Sequence, residues 1–540
     1  METIIETPIL IIGAGPVGLA MAIELADRGI ACTLAERGDG SIEHPRTGLV
    51  AVRTMEAFRR WGLAERVRQC GFPEDYNLSM VFCTSLNGLT LDREPYPSMK
   101  DAPTPAETPE KKQRCPQMWL QPIMSEAVHE RPSVTVKYRH EFESFDDKGS
   151  VVETVLIDRE TGKRVTVRSQ YLIGCDGGSS KVREALGIDM QGRLLSYSVN
   201  ILMRVPGLIN YHAMGEAERY LFVGPEGTWA NLTVVDGDEI WRLTVLGSEQ
   251  KLNLETFDAQ AYIRRAFGRD DVPCEILSVL PWRRSETIAD RYLGGHVILA
   301  GDSVHTMSPT GGMGMNTGIQ EVLDLGWKLQ AVLNGWGGEK LLHSYEIERR
   351  PIARRNIDFS SKNFRAWMDA PDAGAVCDDT PEGARVRQEL GKRLRDSTRV
   401  EWESLGLQIG YRYEGSPICV PDGTPPDADD YSHYLPTTRP GSRAPHAWLA
   451  DGRSTLDLFG EKFVLLAFPD AQAEDIKALT DSLRNRNVPV SVERLSDPQI
   501  VKLYERALVL VRPDGHVAWR GDVALDTDQI ADIVRGAQCA

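Results

Sequence analysis

The chain has 540 residues, enough for three or four domains at about 150 residues each. Hydrophobic residues make up 41% and charged residues 26%, so large cores can form, and disordered, collagen-like and disulfide-scaffold classes are excluded. A balance of 62 basic against 78 acidic residues gives −16, which argues against nucleic acid and anionic membrane as partners.

The nine cysteines include no C-x-x-C pair. An odd count in a long chain argues against a disulfide framework or a zinc site, and a reducing compartment fits. No segment reaches about 18 uninterrupted apolar residues. The apolar stretch Ile9 to Leu25 is broken by Gly13, Gly15, Pro16 and Gly18 and has no basic region before it. It reads as strand, loop and helix of a cytoplasmic protein, not as a signal peptide.

In chain order, Ile9 to Ile12 predicts a parallel strand buried on both faces. Val17 to Arg28 has helical periodicity and stops at Gly29, and Ile30 to Glu36 alternates into a second strand. Ser98 to Lys112 is rich in Pro, Glu, Thr and Lys and reads as a mobile loop outside the core. Val134 to Val167 alternates like hairpins, with turns at 147–149 and 160–162, and Tyr171 to Gly174 is another short buried strand. Ile201 to Val205, Tyr220 to Val223, Trp229 to Val235 and Trp241 to Leu246 predict an antiparallel sheet. Val297 to Ala300 returns to the buried-strand pattern, followed by helices over Asn316 to Leu333 and Tyr345 to Arg355. Residues 356–405 are charged and helical, Pro417 to Pro440 reads as a linker, and the last hundred residues alternate helix and strand.

Three segments carry chemistry. Gly13-Ala14-Gly15-Pro16-Val17-Gly18 fits G-x-G-x-x-G between strand and helix. Its glycines permit a tight turn, backbone approach to a pyrophosphate and close helix packing. The phosphates would sit on the helix N-terminus. Glu36 ends the second strand 18 residues after Gly18, placed to accept from ribose hydroxyls. That carboxylate favours FAD or NAD over a 2′-phosphorylated dinucleotide. Gly301-Asp302-Ser303-Val304-His305 follows the strand at 297–300, and Pro309 to Asn316 leads into a helix with Gly311, Gly312 and Gly314. Asp302 can accept from a sugar-like hydroxyl, and N–H groups at that helix start can stabilise negative charge on a reduced ring. Cys175 to Arg183 carries Asp176-Gly177-Gly178 after a third strand; alone it reads as a structural turn with Ser179 or Ser180 as helix cap.

Together, at 13–18, 176–183 and 301–316, these segments resemble the three fingerprints of the class A flavoprotein monooxygenases, the aromatic hydroxylases of the para-hydroxybenzoate and phenol hydroxylase type. The resemblance covers roughly residues 5–355. Arg439 to His446, Leu456 to Gly460 and Leu508 to Arg520 resemble the thioredoxin-like tail of phenol and polyketide hydroxylases; without C-x-x-C that tail is expected to be redox-inert.

The resemblance implies an α/β fold: a Rossmann-like FAD-binding domain (1–75, 116–190, 280–360) interleaved with a substrate-binding antiparallel sheet (76–115, 191–279). A helical connection and linker (361–435) and a thioredoxin-like domain (436–540) would follow. It implies cofactor-binding roles for Gly13, Gly15, Val17 and Gly18 at the diphosphate and for Glu36 and Arg37 at the adenosine. Arg46 and Gln121 would lie on the flavin side, and Phe142 against the adenine. Asp176 would serve FAD and NAD(P)H, Asp302 the ribityl or diphosphate, and Gly312, Gly314, Met315 and Asn316 the isoalloxazine edge. Two positions depart from the family pattern: Ser303-Val304 replaces the frequent Ala-Ala pair, and Glu321 stands where Asp is commoner.

The implied activity is hydroxylation of a phenolic or polyketide-like aromatic, with NAD(P)H as transient co-substrate and O2 reacting through a flavin C4a-hydroperoxide. Baeyer–Villiger or decarboxylating oxygenation is the alternative outcome, and a non-catalytic FAD-binding protein the distant one. Expected partners are a small aromatic substrate and O2, with no nucleic acid or membrane and a homodimer as the candidate assembly; no metal site is expected. No base emerges: Tyr211, His212 and Tyr220 in the expected substrate sheet read as packing, and no Asp follows Arg46-Thr47-Gly48-Leu49-Val50 where phenol hydroxylase has one. Simple phenol is therefore disfavoured, and a larger ring is equally open.

Overall fold

The computed structural model describes residues 3–538 except 43, 46, 47, 249 and 252. Among the described residues three large sheets organise the chain, beside one two-stranded pair of Leu49–Val50 with Gln113–Arg114. The first has at its centre the parallel strands Val297–Leu299, Arg164–Gly174, Thr3–Ile12, Cys32–Ala35 and Val134–Lys137, in that spatial order. Ile9, Leu10 and Ile11 are fully buried, as expected for apolar runs covered on both faces. Helices Pro16–Asp27 and Met313–Leu333 pack together on this sheet. The helix starts at Pro16 because proline's missing N–H is one the first turn leaves unused.

The second sheet runs in the order His305–Thr306, Glu275–Ala289, Met190–Arg204, Ile240–Ser248, Gly227–Val234, Arg219–Gly224, Met80–Cys83, Thr90–Glu94. It is antiparallel except where Arg219–Gly224 runs parallel to Met80–Cys83, a departure from the all-antiparallel expectation. The earlier strand supplies an edge from a distant part of the chain, which a short hairpin cannot do. Met190–Arg204 and Glu275–Ala289 are 15-residue strands paired from Met190↔Ala289 to Arg204↔Glu275. Their pairing shifts register twice, between Leu194 and Ser196 and between Leu202 and Met203. One face of the second sheet carries its own core, including Tyr220, Phe222, Trp229 and Trp241.

Helices His343–Met368 and Pro381–Trp402 lie against the opposite face. Residues 95–112 contain no helix or strand, yet the segment is not peripheral. Thr108 and Glu110 are buried; the Thr108 hydroxyl donates to Glu56, and Glu110 pairs with Arg59 and Arg68. Internal ion pairs fix a loop whose composition suggested mobility.

The tail forms the third sheet, ordered Val490–Arg494, Phe463–Ala467, Leu508–Val511, Val517–Gly521, with helices Ala473–Arg484, Pro498–Tyr504 and Thr527–Val534. The first two strands are parallel and the rest antiparallel, the thioredoxin-like arrangement. It is welded to the first region. Trp327 and Trp336 share a buried cluster with Phe463, Leu465 and Leu510. Among the described residues no helix is long and apolar enough to cross a membrane.

Candidate active site

Gly13 leaves the first strand with φ +103°, and a Cβ there would meet the Cys175 carbonyl oxygen at 2.4 Å. Only glycine serves this turn without strain. A Cβ on Gly15, by contrast, would meet nothing within 4 Å, so the backbone there faces open space at a helix N-terminus. Glu36 closes the loop from the second strand: one carboxylate oxygen accepts from the Ala14 N–H at 2.8 Å, the other from the Gly38 N–H at 2.7 Å. An ionised carboxylate has lone pairs left for ribose hydroxyls. Arg37 is exposed beside it.

The two other fingerprints abut. Asp176 accepts from the Val182 N–H at 3.2 Å through one oxygen, while its other oxygen is buried without a partner. Ser180 caps the short helix that follows, and Arg183 donates to the Ser303 carbonyl at 2.9 Å. Ser303, at the first departure from the family pattern, donates to the carbonyls of Gly174 and Ala300. Glu321, the second departure, accepts from the Gly301 N–H at 2.8 Å and pairs with His305 at 3.1 Å. Burial opposes charge on His305, but Glu321 outweighs it and the imidazole pKa rises. His305 is fully buried, so it braces the loop and does not face a substrate. Val17 fills the space beneath, against Gly301 and Gly318.

Gly312, with φ +66°, is the N-cap of helix Met313–Leu333, and Gly314 and Met315 are partly exposed in its first turn. Asn316 is fully buried. Its carbonyl oxygen accepts from the Ala51 N–H at 2.9 Å, and its amide donates to the carbonyls of Leu49 and Gly312. What it offers a cofactor is backbone; its side chain staples the segment after Arg46 to the helix. Asp302 is exposed above this helix start, its Oδ1 3.8 Å from where a Gly314 Cβ would be.

Gln121 accepts from Gln117 at 3.0 Å and lines an open cleft of about 420 Å³ with Asp39, Gly40, Ser125 and Tyr138, at the Glu36 end of the site. Phe142 is 4% exposed and belongs to the core of the first region. Arg46 lies outside the described residues. An exposed glycine backbone at a helix N-terminus, a ribose-competent carboxylate, a buried orphan Asp176 oxygen and a second helix start together fit a bound dinucleotide carrying a ring.

The sheet face that looks toward this site holds what sequence reasoning missed. Arg284 is 1% exposed, donates to Ser308 Oγ at 2.6 Å and stacks between Trp282 and Phe364. Arg242 donates to the Pro45 carbonyl at 3.2 Å. Neither has an ion pair with a carboxylate among the described residues. Burial pushes both below the usual guanidinium range, and neighbouring arginines add to it. Arg219 pairs with Glu401 at 3.0 Å and Arg114 with Glu218 at 3.1 Å. Glu401, at the end of helix Pro381–Trp402, also accepts from the Gly311 N–H at 3.0 Å and the Trp367 indole at 2.8 Å. One carboxylate thus joins the ring-binding loop to the arginine face. His212 and Tyr220 meet edge to face on the side of the opposite core, with the Tyr220 hydroxyl donating to the Gly215 carbonyl, so neither reaches this face.

Fold and site define a flavin-dependent monooxygenase. A family model for the FAD binding domain matches residues 6–360, and one for the C-terminal region of aromatic-ring hydroxylases matches 437–536. The chain belongs to this family of FAD-dependent aromatic-ring hydroxylases. It is 31% identical to a putative polyketide hydroxylase of Streptomyces halstedii over 99% of this chain and 97% of that one. It is 30% identical to phenol 2-monooxygenase of a Pseudomonas species (strain EST1001), over 99% and 93%. Among solved structures it is similar to the rebeccamycin biosynthetic enzyme RebC soaked with chromopyrrolic acid and bound to 7-carboxy-K252c (40% identity, TM-score 0.91, 99% of both chains). It is also similar to aklavinone-11 hydroxylase with FAD and aklavinone (28%, TM-score 0.83, 98% and 99%).

Proposed function

We propose that this enzyme oxygenates a fused aromatic ring system that carries a carboxylate, using NAD(P)H as electron donor and O2 as oxidant. The carrying observation is the pair of arginines Arg242 and Arg284 on the substrate face: Arg284 is buried and Arg242 half-buried, and neither has a carboxylate within ion-pair distance among the described residues. Buried charge without a partner is costly. An anionic group on the substrate would pair with both and set ring orientation. The ligands named with RebC, an acid and a carboxylated ring, agree with this reading.

FAD, when bound, supplies two-electron chemistry and oxygen activation. The chain's own groups do the rest. Gly13 to Gly18 and Glu36 would hold the dinucleotide, with Asp176 and Asp302 as further acceptors for its hydroxyls. The N–H groups at 312–314 stabilise negative charge on the ring. Trp282, Phe364 and Trp367 exclude water. Glu401 couples ring loop to arginine face, so a carboxylate arriving beside Arg219 bears on the loop that would hold the ring.

A second reading, decarboxylating oxygenation, rests on the same arginines, because a carboxylate held rigidly beside the reacting ring is also a leaving group. The test is NAD(P)H oxidation with polycyclic aromatic acids against their methyl esters. Acids should be turned over at lower KM, and Arg242→Met should erase that preference. Product mass separates one oxygen gained from carbon dioxide lost. Equal kinetics for acid and ester would overturn the anionic-substrate reading.

A further inference from the structure

Helix Val52–Arg60 follows directly on the segment 49–51, which Asn316 clamps to helix Met313–Leu333. Its N-cap is Ala51, whose side chain cannot accept a hydrogen bond. The first N–H groups of a helix have no partner within it, and a buried one left bare is costly. Two distant side chains supply the missing cap. Asn316 accepts from the Ala51 N–H at 2.9 Å, and Gln408 Oε1 accepts from the Val52 N–H at 2.8 Å. Gln408 comes 356 positions later, from the connection between helix Pro381–Trp402 and the tail.

Gln408 is buried and firmly seated. It lies on the short helix Leu405–Ile409, and its amide donates to Ser404 Oγ at 3.1 Å. The Ser404 hydroxyl in turn donates to the Glu401 carbonyl at 3.4 Å. The short helix is fixed from outside as well. A Cβ on Gly406 would meet the Asp430 and His433 carbonyl oxygens at 2.1 and 2.2 Å, so only glycine allows this approach. The Leu407 N–H donates to the Tyr431 carbonyl at 2.8 Å, and Arg355 donates to the carbonyls of Gly406 and Leu407. A side chain carried on such a support offers its acceptor at one place.

The same stretch reaches the other side of the ring-binding turn. Glu401 accepts from the Gly311 N–H at 3.0 Å. Leu49 packs on the turn itself, its Cβ 3.1 Å from where a Gly312 Cβ would be. Residues 401–408 thus hold both chain segments that flank the turn, Gly311 directly and Leu49 by way of Val52.

We propose that Gln408 is a positioning residue for the flavin: by capping helix Val52–Arg60 it sets where segment 49–51 stands against the ring-binding turn. The proposal rests on reading Gly312 to Met315 as that turn. Gln408 acts through the backbone of Val52, not by contact with ring or substrate. Without its acceptor the Val52 N–H is left bare, and the segment that follows Arg46 is held by Asn316 and the strand pair with Gln113–Arg114.

The test compares two variants as FAD-loaded holoenzyme: Gln408→Met, which keeps the volume and loses the acceptor, and Gln408→Glu, which keeps an acceptor oxygen. Hydrogen exchange of residues 48–56 is read by mass spectrometry, and the bound flavin by visible circular dichroism. In Gln408→Met, exchange should quicken roughly five- to a hundredfold and the flavin dichroism should change. Gln408→Glu should restore both; if it behaves like Gln408→Met, the proposal falls. Thr438→Val, which removes a buried hydrogen bond to the Tyr504 carbonyl in the tail, should lower the urea midpoint without moving the flavin signal. An equal flavin change in Thr438→Val overturns the proposal, because general loosening then explains it. So does unchanged dichroism in Gln408→Met where Asn316→Ala alters it; if neither variant alters it, the reading of the turn falls too. Should Gln408→Met not fold, Ser404→Ala frees the Gln408 amide more gently, and unchanged signals there overturn the proposal.

Discussion

Two regions bury arginines, and they balance them differently. At the junction between tail and first region, Arg512 is fully buried and touches Asp324, Glu348 and Asp514, while Lys328 pairs with Asp324 and Glu348. Arg443, equally buried, pairs with Glu56. On the substrate face Arg284 is as deeply buried but has a hydroxyl and two aromatic rings in place of carboxylates. The electrostatic outcome follows the partners. Burial disfavours charge on Arg512, yet Asp514 and Glu348 raise its pKa well above the usual value; burial lowers that of Arg284 to about 9. A buried charge answered within the chain is architecture. One without such an ion pair is what the proposed anionic substrate would answer.

The contrast predicts opposite signs for one substitution. Arg512→Met leaves Glu348 and Asp324 short of positive charge and should cost about 3–5 kcal/mol of stability, read as a lowered urea midpoint. Arg284→Met removes a charge that has no carboxylate and should leave stability unchanged or raise it, while the KM for a carboxylated substrate rises roughly ten- to a hundredfold. A destabilised Arg284→Met protein would erase the distinction.

Glu36→Lys tests the cofactor end. It removes the acceptor for ribose and the bonds to Ala14 and Gly38, so FAD affinity should fall roughly ten- to a hundredfold, visible as loss of yellow colour on gel filtration. A fully yellow variant would contradict the assignment.

Acid sharpens the junction further. Burial lowers the His516 pKa to about 4, despite Asp514 beside it. The unfolded chain, with an ordinary histidine near 6.5, binds the proton first. Stability should therefore fall as pH drops from about 6.5 toward 4, and His516→Asn should flatten that slope in urea titrations. At the small end, exposed Arg385 pairs with Glu382 and Glu389 in solvent, and Arg385→Ala should not measurably move the midpoint.

What was legible in the sequence was local. The glycine loop, Asp176-Gly177 and Gly301-Asp302 each pack their chemistry into a few consecutive residues between a strand and a helix, so spacing alone exposed them. Arg219, Arg242, Arg284 and Glu401 were not legible. They come from separate elements, and a single arginine in a strand looks like an outward-facing residue until the layer above it is known. The same blindness shortened the strands: Ser196, Ser198 and Asn200 broke the apolar pattern, so only Ile201 to Val205 stood out. Those polar residues alternate with Val199 and Ile201 in the opposite core, hence face the site side. Likewise Thr108 and Glu110 are buried by partners far away in the chain, which composition could not reveal.

The shared charges at the tail junction also limit how this chain recombines. A tail whose arginines are neutralised by Glu56, Asp324 and Glu348 is not a cassette, although its sheet is complete in itself. A chimera that grafts residues 437–536 of this chain onto another body carries with it the demand for those three carboxylates, and the natural crossover unit is the tail together with the surfaces that hold them.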